Sequence, residues 1–313
     1  RLGVRIRRLG GGGGTDGKEA LGSVEGPCCD EPLLLQLAAP LAAWSPDDPQ
    51  LYEAAVRLQE VGDEVVQHFA WRTVGLSDGL MRLNGNPIFM HGVLYQGYWP
   101  ESVLSPPSDE ALEQEIRAIK AAGFNTIRVH AVVMGAAFYM LCDILGLLVW
   151  QDMPSGDGRV LPPWETRRAQ ADAARGNNAA QEILRTPESL QAFRTELRAM
   201  VAWLAPFASV VVWVLFNEGW GQFETRANVQ WLRELDPVRL IDAASGWNEI
   251  AEGASPLGDF ADVHNYEGRP WGDLPETFQR WPYEAAGRIK ALGEYGGLGY
   301  AREGHEWAPK ALM

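Results

Sequence analysis

The sequence predicts an α/β protein whose larger part is an eight-fold (β/α) barrel, preceded by the end of an all-β domain. Three observations carry this. After Asp78-Gly79, apolar runs alternate with helix-length amphipathic stretches; several of those runs are continuously apolar; and before that point the chain breaks into short runs separated by turn residues. Continuously apolar strands are those covered on both faces, as in the parallel sheets of barrels.

Residues 1 to 30 hold the run Gly10 to Gly14 within a mixed-charge stretch, which reads as a loop or insertion. Gly12, Gly14 and Gly17 satisfy G-x-G-x-x-G, and Gly12 to Lys18 approaches a P-loop, but Glu19 stands where Ser or Thr would ligate Mg²⁺. With no apolar strand before it and no apolar helix after it, nucleotide binding is not expected. From Leu33 to Leu76 the runs are Leu33 to Leu37, Leu51 to Leu58 and Val65 to Val74, with Trp44-Ser45-Pro46-Asp47-Asp48-Pro49 between the first two. About four strands fit there, too few for a whole antiparallel sandwich.

Barrel strands are expected at Ile88–Tyr95, Thr126–His130, Leu147–Gln151, Val210–Phe216, Arg239–Ala244, Ala261–Tyr266 and Ile289–Glu294. Helices are expected between them at Asp109–Ala122, Ala136–Leu145, Pro187–Leu204 and Thr225–Leu235. Ser108 suits an N-cap, with Glu110 in the first turn and Gly123 as the stop. The seven strands argue for a barrel over an open sheet and leave the count one short of eight. Met153 to Thr186, with Gly156, Gly158, Pro162 and Pro163, reads as a long loop over the barrel mouth, a substrate lid or a plain insertion.

Lys+Arg 27 against Asp+Glu 41 gives a net charge of −14, and the one cationic cluster is Arg5, Arg7 and Arg8, so a nucleic-acid partner is disfavoured. No apolar run approaches the roughly 18 residues that cross a bilayer. Cys28, Cys29 and Cys142 make no disulfide framework. The His and Cys residues show no HExxH or Cys-x-x-Cys spacing, and no Gly-x-Ser-x-Gly elbow occurs, which disfavours zinc and serine hydrolases. Thirteen Trp exceed what packing demands; Trp71, Trp203 and Trp213 are expected in the core, Trp99, Trp220 and Trp247 in strand-end loops where an indole can stack on a sugar.

In such barrels reactive side chains sit at the C-terminal ends of strands, where an apolar run turns polar. That rule selects Arg128, His130, Asp152, Asn217, Glu218, Trp247, His264, Tyr266 and Glu294. The ends that carry Glu218 and Glu294 lie across the barrel mouth, and two carboxylates about 5–5.5 Å apart suit a retaining glycosidase. One must keep its proton for the departing oxygen while the other stays ionised to attack the anomeric carbon. Glu218 follows the apolar run Val210 to Phe216, which suits the proton donor; Arg128 and Tyr266 are candidates to keep Glu294 charged.

Longer motifs sharpen this. Trp44-Ser45-Pro46-x-x-Pro49-x-Leu51-Tyr52, Leu83-Asn84-Gly85-Asn86-Pro87 with Gly92-Val93, Asn125-Thr126-Ile127-Arg128-Val129-His130 with Asp143-x-x-Gly146-Leu147-Leu148-Val149-Trp150, Ser209 to Asn217-Glu218, and Gly293-Glu294-Tyr295-Gly296-Gly297 occur in that order. Together they resemble glycoside hydrolase family 2, the family of β-galactosidases, β-glucuronidases and β-mannosidases. The resemblance implies a TIM barrel behind an immunoglobulin-like sandwich, with Glu218 as acid/base and Glu294 as nucleophile. It implies Asn217 on the sugar 2-hydroxyl, Arg128 and Tyr266 orienting Glu294, and His130, Asp152, Trp220, Trp247 and His264 around the sugar. The sequence departs from the family at His130-Ala131-Val132, where His-Tyr-Pro is usual, and at Val214.

The expected activity is cleavage of terminal β-linked sugars by double displacement on a small carbohydrate substrate, with no metal or organic cofactor required. The expected organisation is a partial sandwich over residues 1–79 with its Gly-rich insertion, and a catalytic barrel over 80–313 without its eighth strand, both cut from a longer glycosidase. The alternative is a truncated homologue that at most binds carbohydrate.

Overall fold

A computed structural model describes residues 1–9, 20–28, 31–156, 182–183, 185–246, 257–266 and 287–296. The first sheet is antiparallel, built from β1 (Leu2–Arg8), β2 (Ala20–Gly26), β3 (Tyr52–Leu58) and β4 (Asp63–Phe69) in the order β2-β1-β3-β4. This corrects the reading of residues 1 to 30 as loop: β1 and β2 pair from Leu2↔Gly26 to Arg7↔Ala20 on either side of the Gly run, residues 10–19 lying outside the described residues. Leu33 to Leu37 forms no strand, and Leu34 is 89% exposed. The run Val65 to Val74 divides, ending β4 at Phe69 and starting β5 (Val74–Ser77), which joins β6 (Leu80–Leu83) and β7 (Asn86–Pro87) in a second antiparallel sheet. The β5–β6 turn falls on Asp78 and Gly79, both at positive φ, so the expected boundary at residue 79 lies inside a hairpin.

Beyond it the chain alternates as expected: β8 (Gly92–Tyr95), α1 (Asp109–Ala121), β9 (Thr126–Val129), α2 (Ala136–Leu145), β10 (Leu148–Asp152), α3 (Pro187–Leu204), β11 (Val210–Val214), α4 (Thr225–Leu235), β12 (Leu240–Asp242), β13 (Phe260–Asn265) and β14 (Ile289–Tyr295). Strands β8 to β12 form one parallel sheet in chain order, and β13 pairs parallel with β14. Asp259 N–H donates to the Ile241 carbonyl at 2.7 Å, setting β13 beside β12. The barrel is not closed by strand pairing among the described residues, which contain seven of its strands; the Tyr295 hydroxyl donates to the Gly92 carbonyl at 3.2 Å across that opening.

Local chemistry explains the helix limits. The Ser108 hydroxyl accepts from Ala111 N–H at 3.2 Å at the start of α1, Thr186 caps α3 in the same way, and α2 stops on Gly146 at φ +71°. The strands of the central sheet are buried on both faces. Their outer sides pack on the helices through Ile127, Val149, Val210, Phe138, Leu197 and Leu232. Their inner sides, Leu148, Trp150, Val212 and Val214, meet Phe260, Ile289 and the residues Met81, Leu83, Trp44 and Leu51 from the preceding segments. Trp213 is 1% exposed, as expected of a core indole, whereas Trp71 at 55% and Trp203 at 44% are not core residues. Both indoles sit at the periphery, where a large side chain is only partly covered.

Candidate active site

The site lies at the C-terminal ends of the barrel strands. Arg128 on β9 is 4% exposed and is held from two sides. Its Nε and Nη2 donate to the two oxygens of Asp152 at 3.0 Å each, Nη2 also to Asn217 Oδ1 at 2.8 Å, and Nη1 to Glu294 Oε1 at 3.3 Å. Burial opposes the charge on Arg128, but Asp152, Asp262 and Glu294 outweigh it and hold the guanidinium firmly protonated. Asp152 therefore stands behind Arg128 and fixes it. Because Asn217 Oδ1 accepts a hydrogen bond from Arg128, its amide NH₂ faces away from the arginine.

Glu218 follows the buried run of β11, and its backbone is turned out of the strand at φ +52°. Left-handed backbone is costly for a glutamate, of order 1 kcal/mol, and persists where neighbours over-determine it. Here an isolated bridge joins Asn217 to Ser245, and Glu218 N–H donates to the Ser245 carbonyl at 2.9 Å. Glu294 sits on β14, with one oxygen on Arg128 and the other accepting from the Tyr266 hydroxyl. Burial and then the bond to Glu294 push the Tyr266 hydroxyl up, so it stays protonated as a donor. His264 Nδ1 lies 2.8 Å from Glu218 Oε1 and 3.7 Å from Glu294 Oε1. His130 Nε2 is 3.7 Å from Glu294 Oε1.

Nine of the ten residues expected at the site fall among the described residues. Arg128, His130, Asp152, Asn217, Glu218, His264, Tyr266 and Glu294 converge on one another. Trp220 is 44% exposed in the turn after Glu218. Trp247 lies outside the described residues, as does most of the stretch from Met153 to Thr186. The ends of that stretch are tied to the turn that carries Trp220. Ser155 Oγ donates to the Trp220 carbonyl at 2.8 Å, and Arg185 Nη2 donates to the Gly221 carbonyl at 2.6 Å. The guanidinium of Arg185 lies 4.4 Å over the ring of Phe223.

Three polar residues at the site were not expected. Gln96 Nε2 meets His130 Nδ1 at 2.8 Å, which leaves Nε2 as the protonated nitrogen facing Glu294. Ser245 Oγ lies 2.7 Å from His264 Nε2 and donates to Asp262 Oδ2 at 2.5 Å. Gln96 directly follows the apolar end of β8, so the strand-end rule applies to it. Asp262 is a carboxylate between Ala261 and Val263 in a buried strand, an exception of the kind that marks a function or a buried network.

Glu218, His264 and Glu294 each offer a ligand atom, all within 4.8 Å of one another. A cation there would compete with the Arg128 guanidinium 3.3 Å from Glu294, so the donor set suits an ion pair better than a resident metal.

The family model for the glycosyl hydrolases family 2, TIM barrel domain, matches residues 74–263. A β-galactosidase of Klebsiella pneumoniae (strain 342) is 28% identical over 217 residues, 68% of this chain and 19% of that protein. A β-galactosidase 2 of Enterobacter cloacae is 27% identical over 220 residues, 68% of this chain and 20% of that protein. The chain thus spans about a fifth of the length of the curated relatives it matches. Among solved structures, the FMN-binding β-glucuronidase from Facaelibacterium prausnitzii L2-6 superposes with a TM-score of 0.73 at 20% identity, covering 96% of this chain and 44% of that one. The β-D-glucuronidase of Dictyoglomus thermophilum gives 0.69 at 19% identity, covering 94% and 49%. These neighbours share the fold. With the strand-end carboxylates in place and the barrel model matched over residues 74–263, the chain belongs to glycosyl hydrolase family 2.

Proposed function

We propose that the chain is the catalytic portion of a retaining β-glycosidase that hydrolyses O-glycosyl bonds at terminal β-linked sugars. The observation that carries this is the approach of Glu218 and Glu294, with a carboxylate oxygen of each inside the same 4.8 Å cluster. That spacing fits the roughly 5–5.5 Å of retaining enzymes and leaves no room for the attacking water that inverting enzymes place between carboxylates about 6.5–9.5 Å apart. Glu294 attacks the anomeric carbon, the glycosidic C–O bond breaks, and the leaving oxygen takes the proton of Glu218. Water then attacks the same carbon from the vacated side, gives a proton to Glu218 and releases Glu294. Arg128 and Tyr266 orient Glu294, Asn217 receives the sugar 2-hydroxyl, and His130, Trp220 and Trp247 border the sugar, with Asp152 acting through Arg128 and the buried His264, expected beside the sugar, acting through Glu218.

The same reading divides the chain at the Asp78-Gly79 turn into a partial sandwich, 1–79, and the barrel, 80–313. The four-stranded antiparallel sheet supports an immunoglobulin-like assignment for the first part, and the seven strands among the described residues support the barrel assignment for the second. The names of its relatives make β-galactosides and β-glucuronides the first substrates to try. Glu218→Ala tests the assignment: hydrolysis of alkyl glycosides should fall by roughly 10²–10⁴-fold, nitrophenyl glycosides should suffer much less, and azide should restore turnover as a β-glycosyl azide. Equal losses on both substrates, without azide rescue, refute the acid/base role. A homologue that only binds carbohydrate would show saturable binding and no turnover by the unsubstituted chain.

A further inference from the structure

The His264 side chain is fully buried, and polar or charged groups from five strand ends converge on it. Arg128 comes from β9, Glu218 from the end of β11, Ser245 from the end of β12, Asp262 and Tyr266 from β13 and the residue after it, and Glu294 from β14. Two glycines make room for this arrangement. Gly246 stands at φ +88°, and a Cβ there would lie 2.6–2.8 Å from the imidazole; a Cβ on Gly293 would overlap the Asp262 carboxylate.

The proton positions follow from donor and acceptor chemistry. Asp262 Oδ1 accepts from Gly293 N–H at 2.6 Å and Oδ2 accepts from the Ser245 hydroxyl at 2.5 Å, which uses the single proton of Ser245. Ser245 Oγ can therefore only accept from His264 Nε2, 2.7 Å away, so Nε2 carries a proton. Arg128 Nη1 is also a donor facing Nε2, but at 3.4 Å against 2.7 Å for Ser245 Oγ, so the shorter contact sets the tautomer. In the neutral ring Nδ1 is then a bare acceptor 2.8 Å from Glu218 Oε1, and the bond between them needs the proton of the Glu218 carboxyl.

We propose that Asp262, Ser245 and His264 form a buried relay that sets the proton of Glu218, with His264 as its positioning residue. The proposal deepens the glycosidase reading and rests on it for its kinetic consequence. The relay favours the protonated carboxyl before bond cleavage, by offering it an acceptor. Glu218 gives that proton to the leaving oxygen and regains one from water in the second step, so His264 ends each turnover as it began. Asp262 also holds Gly293, the residue before Glu294, so one carboxylate ties the acid/base to the strand of its partner.

Without the relay the ring can carry its proton on Nδ1 instead and donate to the Glu218 carboxylate, which favours the ionised form. Ser245→Ala should therefore move the alkaline limb of kcat/KM to lower pH. It should lower kcat/KM for alkyl glycosides by roughly 10–100-fold, the usual effect of losing a supporting hydrogen bond, and distinctly less for nitrophenyl glycosides. Ser245→Thr, which keeps the hydroxyl, should restore both. Long-range ¹H–¹⁵N spectra of the histidines in the full chain, with His264 assigned through His264→Gln, should show the Nε2–H tautomer in the unsubstituted protein and its loss in Ser245→Ala. A Ser245→Ala variant with unchanged pH profile and leaving-group dependence, or an Nδ1–H tautomer in the unsubstituted protein, overturns the relay. If the unsubstituted chain turns over no β-glycoside, the glycosidase reading falls and the tautomer alone decides: Nε2–H lost in Ser245→Ala upholds the relay, any other pattern overturns it.

Discussion

Asp143→Asn isolates the cost of a carboxylate enclosed between α2 and the residues leading into β11. Asp143 is 3% exposed, and burial pushes its carboxyl from the ordinary 3.8 up to about 6, against the pull of the Ser209 and Ala208 N–H groups and of Arg72. The folded protein thus holds a proton over a range in which the unfolded chain has released it. Stability from this group is fully present below pH 3.8, declines through the window up to about 6, and is lost above it. A displacement of that size corresponds to roughly 3 kcal/mol. Asparagine is neutral throughout and nearly the same shape. Its amide NH₂ opposes one of the two backbone N–H groups, an offset of about 1 kcal/mol that does not vary with pH. Urea unfolding followed by tryptophan fluorescence at closely spaced pH values, on both proteins, measures the difference. The unsubstituted protein should lose about 3 kcal/mol relative to the variant between about pH 4 and pH 7. A difference that stays flat across that range would refute the reasoning.

Gly146→Ala places a Cβ against the backbone of Pro46 at a position with φ +71°, where Lys120 already bonds both the Pro46 and Gly146 carbonyls at 2.9 and 2.7 Å. The left-handed backbone alone costs an alanine about 1–2 kcal/mol, and the displaced Pro46 adds to it, so urea melts should show a loss above about 2 kcal/mol. Arg128→Lys keeps the charge but cannot reproduce the paired bonds to Asp152 together with those to Asn217 and Glu294; kcat/KM should fall by roughly 100-fold with an unchanged circular dichroism spectrum. Activity within about twofold would show that the guanidinium does not orient Glu294.

The alternating part of the fold was legible because each signal was local and repeated. α2, α3 and α4 have the limits expected from the sequence, and the apolar cores of the barrel strands lie where the runs are, with ends displaced by a few residues. The N-terminal hairpin was hidden by its charge. Leu2-Gly3-Val4-Arg5-Ile6-Arg7 alternates with the period of a strand, but the arginines and the glycine run suggest a loop, and only pairing with β2 and β3 makes it a central strand. Leu33 to Leu37 shows the converse, an apolar run that lies along the edge strand β2 without forming a strand of its own. At the candidate site, the strand-end rule and the family motifs reached the residues that converge on Glu218 and Glu294. Ser245 and Asp262 escaped because their importance lies in which partner each faces, and that is fixed by β12, β13 and β14 coming together from distant parts of the chain.

The central claim is that Glu218 and Glu294 act as proton donor and nucleophile across a gap too short for an intervening water. The most direct test is the anomeric configuration of the first-formed sugar, followed by ¹H NMR immediately after mixing the chain with an aryl β-galactoside or β-glucuronide. The β-anomer should appear first and only later mutarotate, and Glu294→Gln should produce none. Initial formation of the α-anomer, or the same turnover by Glu294→Gln, would contradict it.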